Sequence, residues 1–459
     1  MDVLASRPVS SAIPRAHGAE VEAQISVGAV ILAASAPLMF LHIRYQPTIE
    51  VGLGSTTATA TLSDVAVLAV AVAALVSGVR HGFAPLRAGR ALWLAAGGLL
   101  AWIAVETFRN VAADGFATHA VTAAKFAEYA LLALAVPLLV RRPADLQPLV
   151  WTVAAWAVAA SAVALLQFVG VPIFDAWKAG WRQPSFLGHH DLAALCALAF
   201  GIGTTGIVTG GAWPDDRRLT ALGLAAGSGL ILSGSTAAVA GLIVGVTVVA
   251  LVARRRFQLT LRRLLVLAGA VAVVAVGVVA LRADPLASFL RFAGIRDDRP
   301  QTGIETYSQR TVLMYIGGRI FVDHAVAGVG WQRSSDADVY MPYVPDAKQK
   351  FPEVVAEAFP SPDIPWGIQN AYVQAAADLG VIGLGLLLTT FGAGIVLAAR
   401  TVRRARLESA GPALVALSAL LTLMGIWSAL GLVAGIPLDA ATWLVLGVAA
   451  LPAAGAVDG

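Results

Sequence analysis

The chain has 459 residues, of which 58% are hydrophobic and only 13% are charged, and its net charge is +4. The apolar residues come in runs of about 18 to 22, the length that crosses ~30 Å of hydrocarbon as a helix. This composition excludes an ordinary water-soluble domain and predicts an all-α, polytopic membrane protein within a lipid bilayer. The basic residues form short clusters between apolar runs, so they indicate topology, and we predict no nucleic-acid partner.

Twelve apolar segments are predicted to span the bilayer: 25–43, 62–79, 91–108, 121–140, 149–170, 190–209, 219–235, 237–253, 264–281, 380–400, 412–432 and 436–453. They divide the chain into a tail (1–24), spans one to nine (25–281), a long polar interval (282–379), and spans ten to twelve with a short C-terminal tail (380–459). Twelve spans would place both termini on the same side of the membrane.

The distribution of Arg and Lys sets the predicted orientation. Eighteen arginines lie in the N-terminal tail and in alternate loops, whereas the short loops on the opposite side hold four basic residues. Because short cytoplasmic loops are enriched in Lys and Arg, both termini are expected in the cytoplasm and the 282–379 interval outside it. Long translocated loops largely escape this rule, so the nine basic residues of that interval are compatible with it.

The 282–379 interval is both charged and aromatic, unlike the Ala- and Val-rich spans. It contains the charged run Asp297, Asp298 and Arg299, and six prolines lie between positions 342 and 365. We predict a helix over 306–323, a glycine turn over 328–330, an irregular lid, and a second helix over 368–379 that leads into span ten. If the protein does chemistry, it is expected here.

A spacing pattern in this interval carries a family resemblance. Arg310 is followed after thirteen residues by His324, and after three more by the Gly-Val-Gly turn at 328–330. The polar pair Gln369-Asn370 is separated by nine residues from Gly-Val-Ile-Gly at 380–383. This pattern resembles the large extracytoplasmic loop of the O-antigen ligase and polymerase family. In that family the polar pair usually begins with His, and here it begins with Gln369.

The resemblance implies a bacterial plasma-membrane glycosyltransferase. Its members move a glycan from a polyprenyl-diphosphate donor to an acceptor, which here would be a hydroxyl of a glycan, a lipid or a protein on the outer face. Departure of the diphosphate supplies the energy, so no metal or other cofactor is expected. The residues agree, because the sequence has no metal-ligand cluster and no phosphate-binding glycine loop followed by Lys.

Two other classes of function stay open. A catalytically silent protein that binds lipid-linked glycans would explain Gln369 directly. A polysaccharide or small-solute transporter would also need many spans and outward arginines. Transporters show polar or broken helices near the bilayer midplane, and the plain Ala/Val/Leu spans count against that class.

Arg182 and Arg310 are the predicted ligands of the donor diphosphate. A planar guanidinium grips two phosphate oxygens at once, which suits a dianionic leaving group better than Lys does. Arg310 holds the position of the Arg that opens the family's loop motif, and Arg182 lies in a stretch that resembles the family's smaller outer loop. The alternative is a solvated or headgroup-anchoring arginine. Trp181 is a candidate for stacking on a sugar, although interfacial Trp is more often a belt residue.

His189 and His190 are the leading candidates for a general base. In the family, the His of the polar pair is thought to activate the acceptor hydroxyl by taking its proton, which suits imidazole. Gln369 stands at this catalytic position, but an amide cannot take the proton; it can only position a hydroxyl or a phosphate. Asn370 is a candidate substrate ligand. The alternative is that 369 and 370 merely cap the following helix.

Five residues of the interval and of the start of span ten are predicted to be structural. Gly328 and Gly330 form the turn, and Gly380 and Gly383 allow close approach of helices, as small residues do in membranes. Asp378 takes an acidic position common in the family and is expected to pair with an arginine, which would fix the helix against the outer loop.

Lys125 and Glu128 are predicted to be charged residues inside span four. Their three-residue spacing puts them on one helix face, where they can neutralise each other. Charges within a membrane span are functional candidates by default, and Glu128 could instead reach an arginine that faces the substrate. We favour the mutual pair.

Overall fold

The computed structural model describes residues 25–53, 56–113, 115–214, 216–292, 306–432 and 437–451. The predicted N-terminal tail, the charged run at 297–299 and most of the C-terminal tail lie outside these residues. Within the described residues the chain is a bundle of α-helices with one β-hairpin. This architecture is consistent with the predicted all-α polytopic membrane protein.

Helices fill most of the chain before the polar interval. They are α1 (Val27–Met39), α2 (Leu62–His81), α3 (Arg90–Arg109), α4 (Phe116–Leu139), α5 (Pro143–Phe168), α6 (His189–Thr209), α7 (Arg217–Ala225), α8 (Gly227–Ser233), α9 (Thr236–Phe257) and α10 (Leu261–Leu281). The rest of the described chain forms α11 (Ala283–Phe292), α12 (Thr306–Asp323), α13 (Ala337–Tyr340), α14 (Val344–Lys350), α15 (Ala371–Arg404), α16 (Gly411–Trp427) and α17 (Pro437–Ala449).

Eight helices of the described residues are long and apolar enough to cross a membrane, namely α2, α3 with its preceding turn, α4, α5, α6, α9, α10 and α15. The helices α1, α16 and α17 are apolar but shorter. The predicted seventh span, 219–235, is not one helix, because the chain breaks at Ala226 between α7 and α8. The count of twelve spans therefore stays a prediction.

A β-hairpin between α1 and α2 is an element that the hydropathy pattern did not reveal. Strand β1 (Thr48–Leu53) pairs antiparallel with β2 (Thr56–Thr61), and Thr48 lies opposite Thr61. Alternating Thr in β2 suits a strand, because β-branched residues pack well on a pleated surface. Thr61 also caps α2 in a reciprocal pair with Asp64, so the hairpin leads straight into the helix.

Glycines bring the central helices into close contact. A Cβ at Gly241 of α9 would collide with backbone of α16, and a Cβ at Gly425 of α16 would collide with the Ala237 carbonyl. Such contacts are the usual basis of helix association in membranes. Helix α6 is almost entirely buried at the centre of the bundle, so a side chain at its first turn is held firmly by the surrounding helices.

Arginines join several helices at one end of the bundle. Arg256, at the end of α9, donates to the Ala405 carbonyl just after α15 (3.4 Å). Arg263, in the first turn of α10, donates to the Val208 carbonyl at the end of α6 (3.4 Å). These contacts gather loops that the positive-inside rule places on one side. The opposite ends of α6, α9 and α10 meet the polar interval.

The described part of the polar interval from residue 306 onward is a folded unit, not an irregular segment. The predicted helix over 306–323 is confirmed as α12, and we call residues 306–370 the lid. Buried Val312, Ile316 and Ile320 of α12 form a separate hydrophobic core with residues of α13, α14 and the segment that follows. The second predicted helix leads into span ten within α15, with a break at Gly380 between the two. The lid therefore has its own core, which fixes α12 above the bundle.

Candidate functional site

Helix α15 contains a break that holds the lid in register. Gly380 has φ 65° and ψ −168°, a conformation that is essentially restricted to glycine. The break frees backbone groups of α15, which form hydrogen bonds with the turn at 328–330 and its neighbours. The bonds are Val329 N to Ala377 O (3.0 Å), Gly330 N to Asp378 O (2.8 Å) and Val381 N to Ala325 O (2.8 Å). The two glycine motifs thus pair with each other through their backbones.

The four predicted structural glycines lie at this junction. A Cβ at Gly328 would overlap the Asp378 carbonyl, and one at Gly380 would overlap the Val326 carbonyl. A Cβ at Gly383 would overlap the Leu379 side chain one turn earlier, and one at Gly330 would overlap Asn110. Each position therefore needs a residue without a side chain.

Asp378 fixes the lid, but without the predicted arginine. Its carboxylate is fully buried and accepts a hydrogen bond from the backbone N–H of Ser334 in the lid (2.8 Å). No arginine of the described residues forms an ion pair with it. The nearby Arg333 instead pairs with Asp336 and Asp338. The expectation of an Asp378–Arg pair is corrected: this carboxylate anchors lid backbone.

Three arginines converge where the lid meets the bundle. Arg182 lies in the loop before α6, Arg310 lies on α12, and Arg282 directly follows α10. Burial, and then the neighbouring Arg282 and Arg310, lower the pKa of Arg182 to about 10. Burial lowers the pKa of Arg310, and Arg282 lowers it further, while Tyr307 acts in the opposite direction. These mutual effects place the three guanidiniums in one electrostatic cluster.

A cavity of about 300 Å³ opens beside this cluster. Trp181, Arg182, Arg282 and Tyr307 contribute to its lining. The Tyr307 hydroxyl lies 3.3 Å from Thr236 Oγ1 at the start of α9, which ties α12 to the bundle. Trp181 is 58% exposed at the rim, with the Lys178 ammonium 5.2 Å from its ring centre.

No carboxylate of the described residues forms an ion pair with this arginine cluster, although Asp284 lines the same cavity. Arg182 stacks on the Trp177 ring (4.8 Å). Arg282 is only 9% exposed, and its Nε has no hydrogen-bond partner. Because a buried charge without a partner is costly, the cluster is suited to an anionic ligand.

His189 and His190 face the arginine cluster from the first turn of α6. Their ring centres are 4.0 Å apart, and the Trp177 ring lies 5.2 Å from that of His189. Arg182, Arg282 and Arg310 all act electrostatically on both imidazoles. His189 Nε2 and His190 Nδ1 are buried and have no hydrogen-bond partner. The structure thus brings the candidate bases and the predicted diphosphate ligands together.

Gln369 and Asn370 have different roles in the structure. Gln369 Oε1 accepts a hydrogen bond from Arg310 Nε (2.9 Å), which places it within the cluster. Asn370 Oδ1 accepts from the backbone N–H groups of Tyr372 and Val373 (both 3.1 Å), and its amide donates to the Ser428 carbonyl (3.0 Å). Asn370 is therefore the N-cap of α15, the alternative stated for it above.

Lys125 forms its ion pair with a residue other than the predicted Glu128. Lys125 Nζ lies 2.9 Å from Asp64 Oδ2 in the first turn of α2. Glu128 Oε1 is buried without a hydrogen-bond partner. The reason is tertiary: Asp64 is held at the start of α2 by its capping bond with Thr61, and the packing of α2 against α4 brings it to the lysine.

Arg282 is a site residue that no motif in the sequence singles out. It is the first residue of the polar interval. One signal was present, because Arg282 directly follows an apolar span on the side that otherwise has few basic residues in its short loops.

The fold and the site together define a polytopic helical membrane protein in which a folded lid meets the bundle at a cavity lined in part by Arg182 and Arg282, with His189 and His190 nearby. Residues 221–388 match the family model described as O-antigen ligase, and this match confirms the resemblance to the O-antigen ligase and polymerase family, whose members are membrane glycosyltransferase-like proteins. The matched segment contains Arg282, Arg310 and Gln369, while Arg182 and both histidines precede it. No curated protein matches the sequence.

Proposed function

We propose that this protein transfers a glycan from a polyprenyl-diphosphate donor to an acceptor hydroxyl on the outer face of the bacterial plasma membrane. The observation that carries the proposal is the cluster of Arg182, Arg282 and Arg310, which has no ion pair with a carboxylate of the described residues and adjoins His189 and His190. The O-antigen ligase match over 221–388 supports this class of reaction.

The arginine cluster is suited to the donor diphosphate. Guanidiniums form paired, charge-assisted hydrogen bonds with phosphate oxygens. Arg182 and Arg282 line the cavity of about 300 Å³, and Arg310 approaches from the lid. A diphosphate bound there would neutralise the cluster, and the polyprenyl chain would extend into the surrounding bilayer.

The reaction balances as a substitution at the anomeric carbon. The acceptor oxygen forms a bond to this carbon while the bond to the diphosphate oxygen breaks, and polyprenyl diphosphate leaves with the bonding electrons. The arginines stabilise the negative charge that develops on this leaving group. The acceptor proton passes to His189 or His190, whose unpaired ring nitrogens can receive it.

Gln369 positions Arg310 in this proposal. Its amide oxygen accepts from Arg310 Nε and orients the guanidinium, while base catalysis moves to the imidazoles at the start of α6.

A second candidate function is the binding of a lipid-linked glycan without transfer. The amide at position 369 favours it, since this position usually holds the family's His. Binding requires only the arginine cluster and the cavity, whereas transfer also requires a base that reaches the acceptor.

Transfer of a radiolabelled glycan from a polyprenyl-diphosphate donor in proteoliposomes tests the proposal. We expect transfer by wild type, and a loss of about 10²-fold or more in Arg310→Ala, since one donor to the developing charge is worth that factor. Loss of transfer in His189→Ala or His190→Ala, with donor binding retained, would identify the base. Arg319→Ala is the matched control, because Arg319 lies on the same helix and pairs with Asp346.

Three results would contradict the proposed reaction. Donor binding without transfer by wild type, combined with transfer by Gln369→His, would establish a silenced ligase scaffold. Donor binding without transfer by either protein would favour the binding function. Full transfer by Arg310→Ala would show that the reaction does not need the guanidinium of Arg310.

A further inference from the structure

An apolar groove lies between α9 and α10, away from the cleft described above. Its volume is about 470 Å³, and its lining is apolar except for Thr247 and Arg254. It extends from Ile243 to Arg254 along α9, and so lies in the half of that helix next to the arginine-rich loop. Arg254 and Thr236, at opposite ends of α9, are separated by about 27 Å at 1.5 Å per residue.

Small side chains on α10 make the groove concave. Ala268 and Ala272 line it and are exposed, whereas Val273 and Val276 on the same helix are 65% and 67% exposed outside it. Helix α10 is the least buried of the candidate spans. In a bilayer such an exposed apolar surface contacts acyl chains, and a concave one can hold a chain in place.

Positive charge lies at one end of the groove. Arg254 lines that end, and exposed Arg255 and Arg262 lie close to it in the chain. None of the three forms an ion pair with a carboxylate of the described residues. The groove therefore has a cationic end at Arg254 and an apolar channel along the rest of its length.

We propose that this groove binds an anionic phospholipid, with an acyl chain between α9 and α10 and the phosphate at Arg254. Basic pockets between membrane helices recognise anionic headgroups, and a guanidinium can bind two phosphate oxygens at once. The groove is separate from the arginine cluster at the start of α6, so the lipid site stands whether or not the protein transfers glycans.

Native mass spectrometry of the delipidated full chain tests this proposal with two lipids that share acyl chains, phosphatidylglycerol and phosphatidylcholine. We expect one tightly held phosphatidylglycerol and weaker retention of phosphatidylcholine. Arg254→Gln lowers the affinity for phosphatidylglycerol about fivefold, the factor expected for one arginine near an anionic headgroup. Ala272→Phe fills the groove and removes the bound lipid. The increase in unfolding temperature on adding phosphatidylglycerol should rank wild type, Arg254→Gln and Ala272→Phe in the same order.

The matched controls are Val276→Phe, on the same helix outside the groove, and Arg400→Gln, an exposed arginine of α15; both keep wild-type lipid binding. Arg254→Gln changes an exposed side chain, so it remains informative if Ala272→Phe fails to fold. Equal retention of the two lipids by wild type overturns the proposal. It is also overturned if Ala272→Phe leaves lipid binding unchanged but dissociates a dimer, because a second copy of the chain then covers the groove.

Discussion

Arg282 carries a charge that its described surroundings do not neutralise. It is buried next to Arg182 and Arg310, and its Nε lacks a hydrogen-bond partner. A group that costs stability in the free protein is characteristic of a site built for a ligand. The arginines of the site therefore repel one another, and an anionic ligand would offset this repulsion.

Replacement of Arg282 should raise the stability of the protein and lower its transfer activity. Arg282→Gln removes a buried like-charge repulsion, so we expect a higher unfolding temperature in the absence of donor. The same change removes a charge-assisted hydrogen bond to the diphosphate, so transfer should fall by about 10- to 100-fold. Thermal unfolding and the transfer assay measure the two effects.

The control for this prediction is Arg319→Gln, since Arg319 on α12 is half-exposed and pairs with Asp346. It should change neither quantity appreciably, because surface ion pairs contribute little to stability. A drop in unfolding temperature for Arg282→Gln, with unchanged transfer, would show that Arg282 has a structural role.

The break in α15 is the element that couples the lid to the bundle. It turns backbone groups of 377–381 towards the turn at 328–330, and Trp102 of α3 donates to the Leu379 carbonyl (3.0 Å). Asp378 adds a bond to Ser334. Because these bonds hold residues 325–334, which follow α12 in the chain, against α15, they help to fix the position of α12.

Gly380→Ala should disrupt this junction. Alanine at φ 65° is strained and its Cβ would overlap the Val326 carbonyl, so we expect a loss of at least about 2 kcal/mol in the free energy of unfolding. Titration with SDS, followed by tryptophan fluorescence, measures this loss.

Gly385→Ala is the matched substitution on the same helix. A Cβ at Gly385 meets nothing within 4 Å, so it should be neutral or stabilise the helix by up to about 1 kcal/mol. Similar stability for both variants would show that the break does not depend on glycine.

The charge distribution of the whole molecule separates two kinds of arginine. At one end of the bundle, Arg256 and Arg263 donate to backbone carbonyls that end neighbouring helices. At the other end, Arg182 and Arg282 line a cavity and Arg310 lies near them on α12. The first group is expected to set the orientation in the membrane, with the lid outside the cytoplasm.

Cysteine labelling in intact cells tests this orientation. The single Cys196 is fully buried, so a membrane-impermeant maleimide should leave the wild type unlabelled. Lys350→Cys, on the exposed surface of the lid, should react from outside the cell. Arg217→Cys, at the start of α7, should react only after lysis. The reverse pattern would invert the orientation and place the proposed transfer on the cytoplasmic face.

The sequence by itself determined the fold class, the position of α12 and the resemblance to the O-antigen ligase and polymerase family. Hydrocarbon thickness fixes the length of apolar runs, so composition alone indicates membrane helices. The motif spacings around Arg310 and Gly380 lie within short stretches of the chain, so the sequence alone reveals them. The β-hairpin, the division of span seven into α7 and α8, and the core of the lid left no comparable signal in hydropathy.

Only the tertiary structure decided which charged residues meet. Asp64 rather than Glu128 pairs with Lys125, and Arg282 joins Arg182 and Arg310 although about a hundred residues of chain separate the first two. Spacing can report neighbours on one helix, at three or four residues. Contacts between helices depend on how small residues let backbones approach and rotate, and that is a property of the packed bundle.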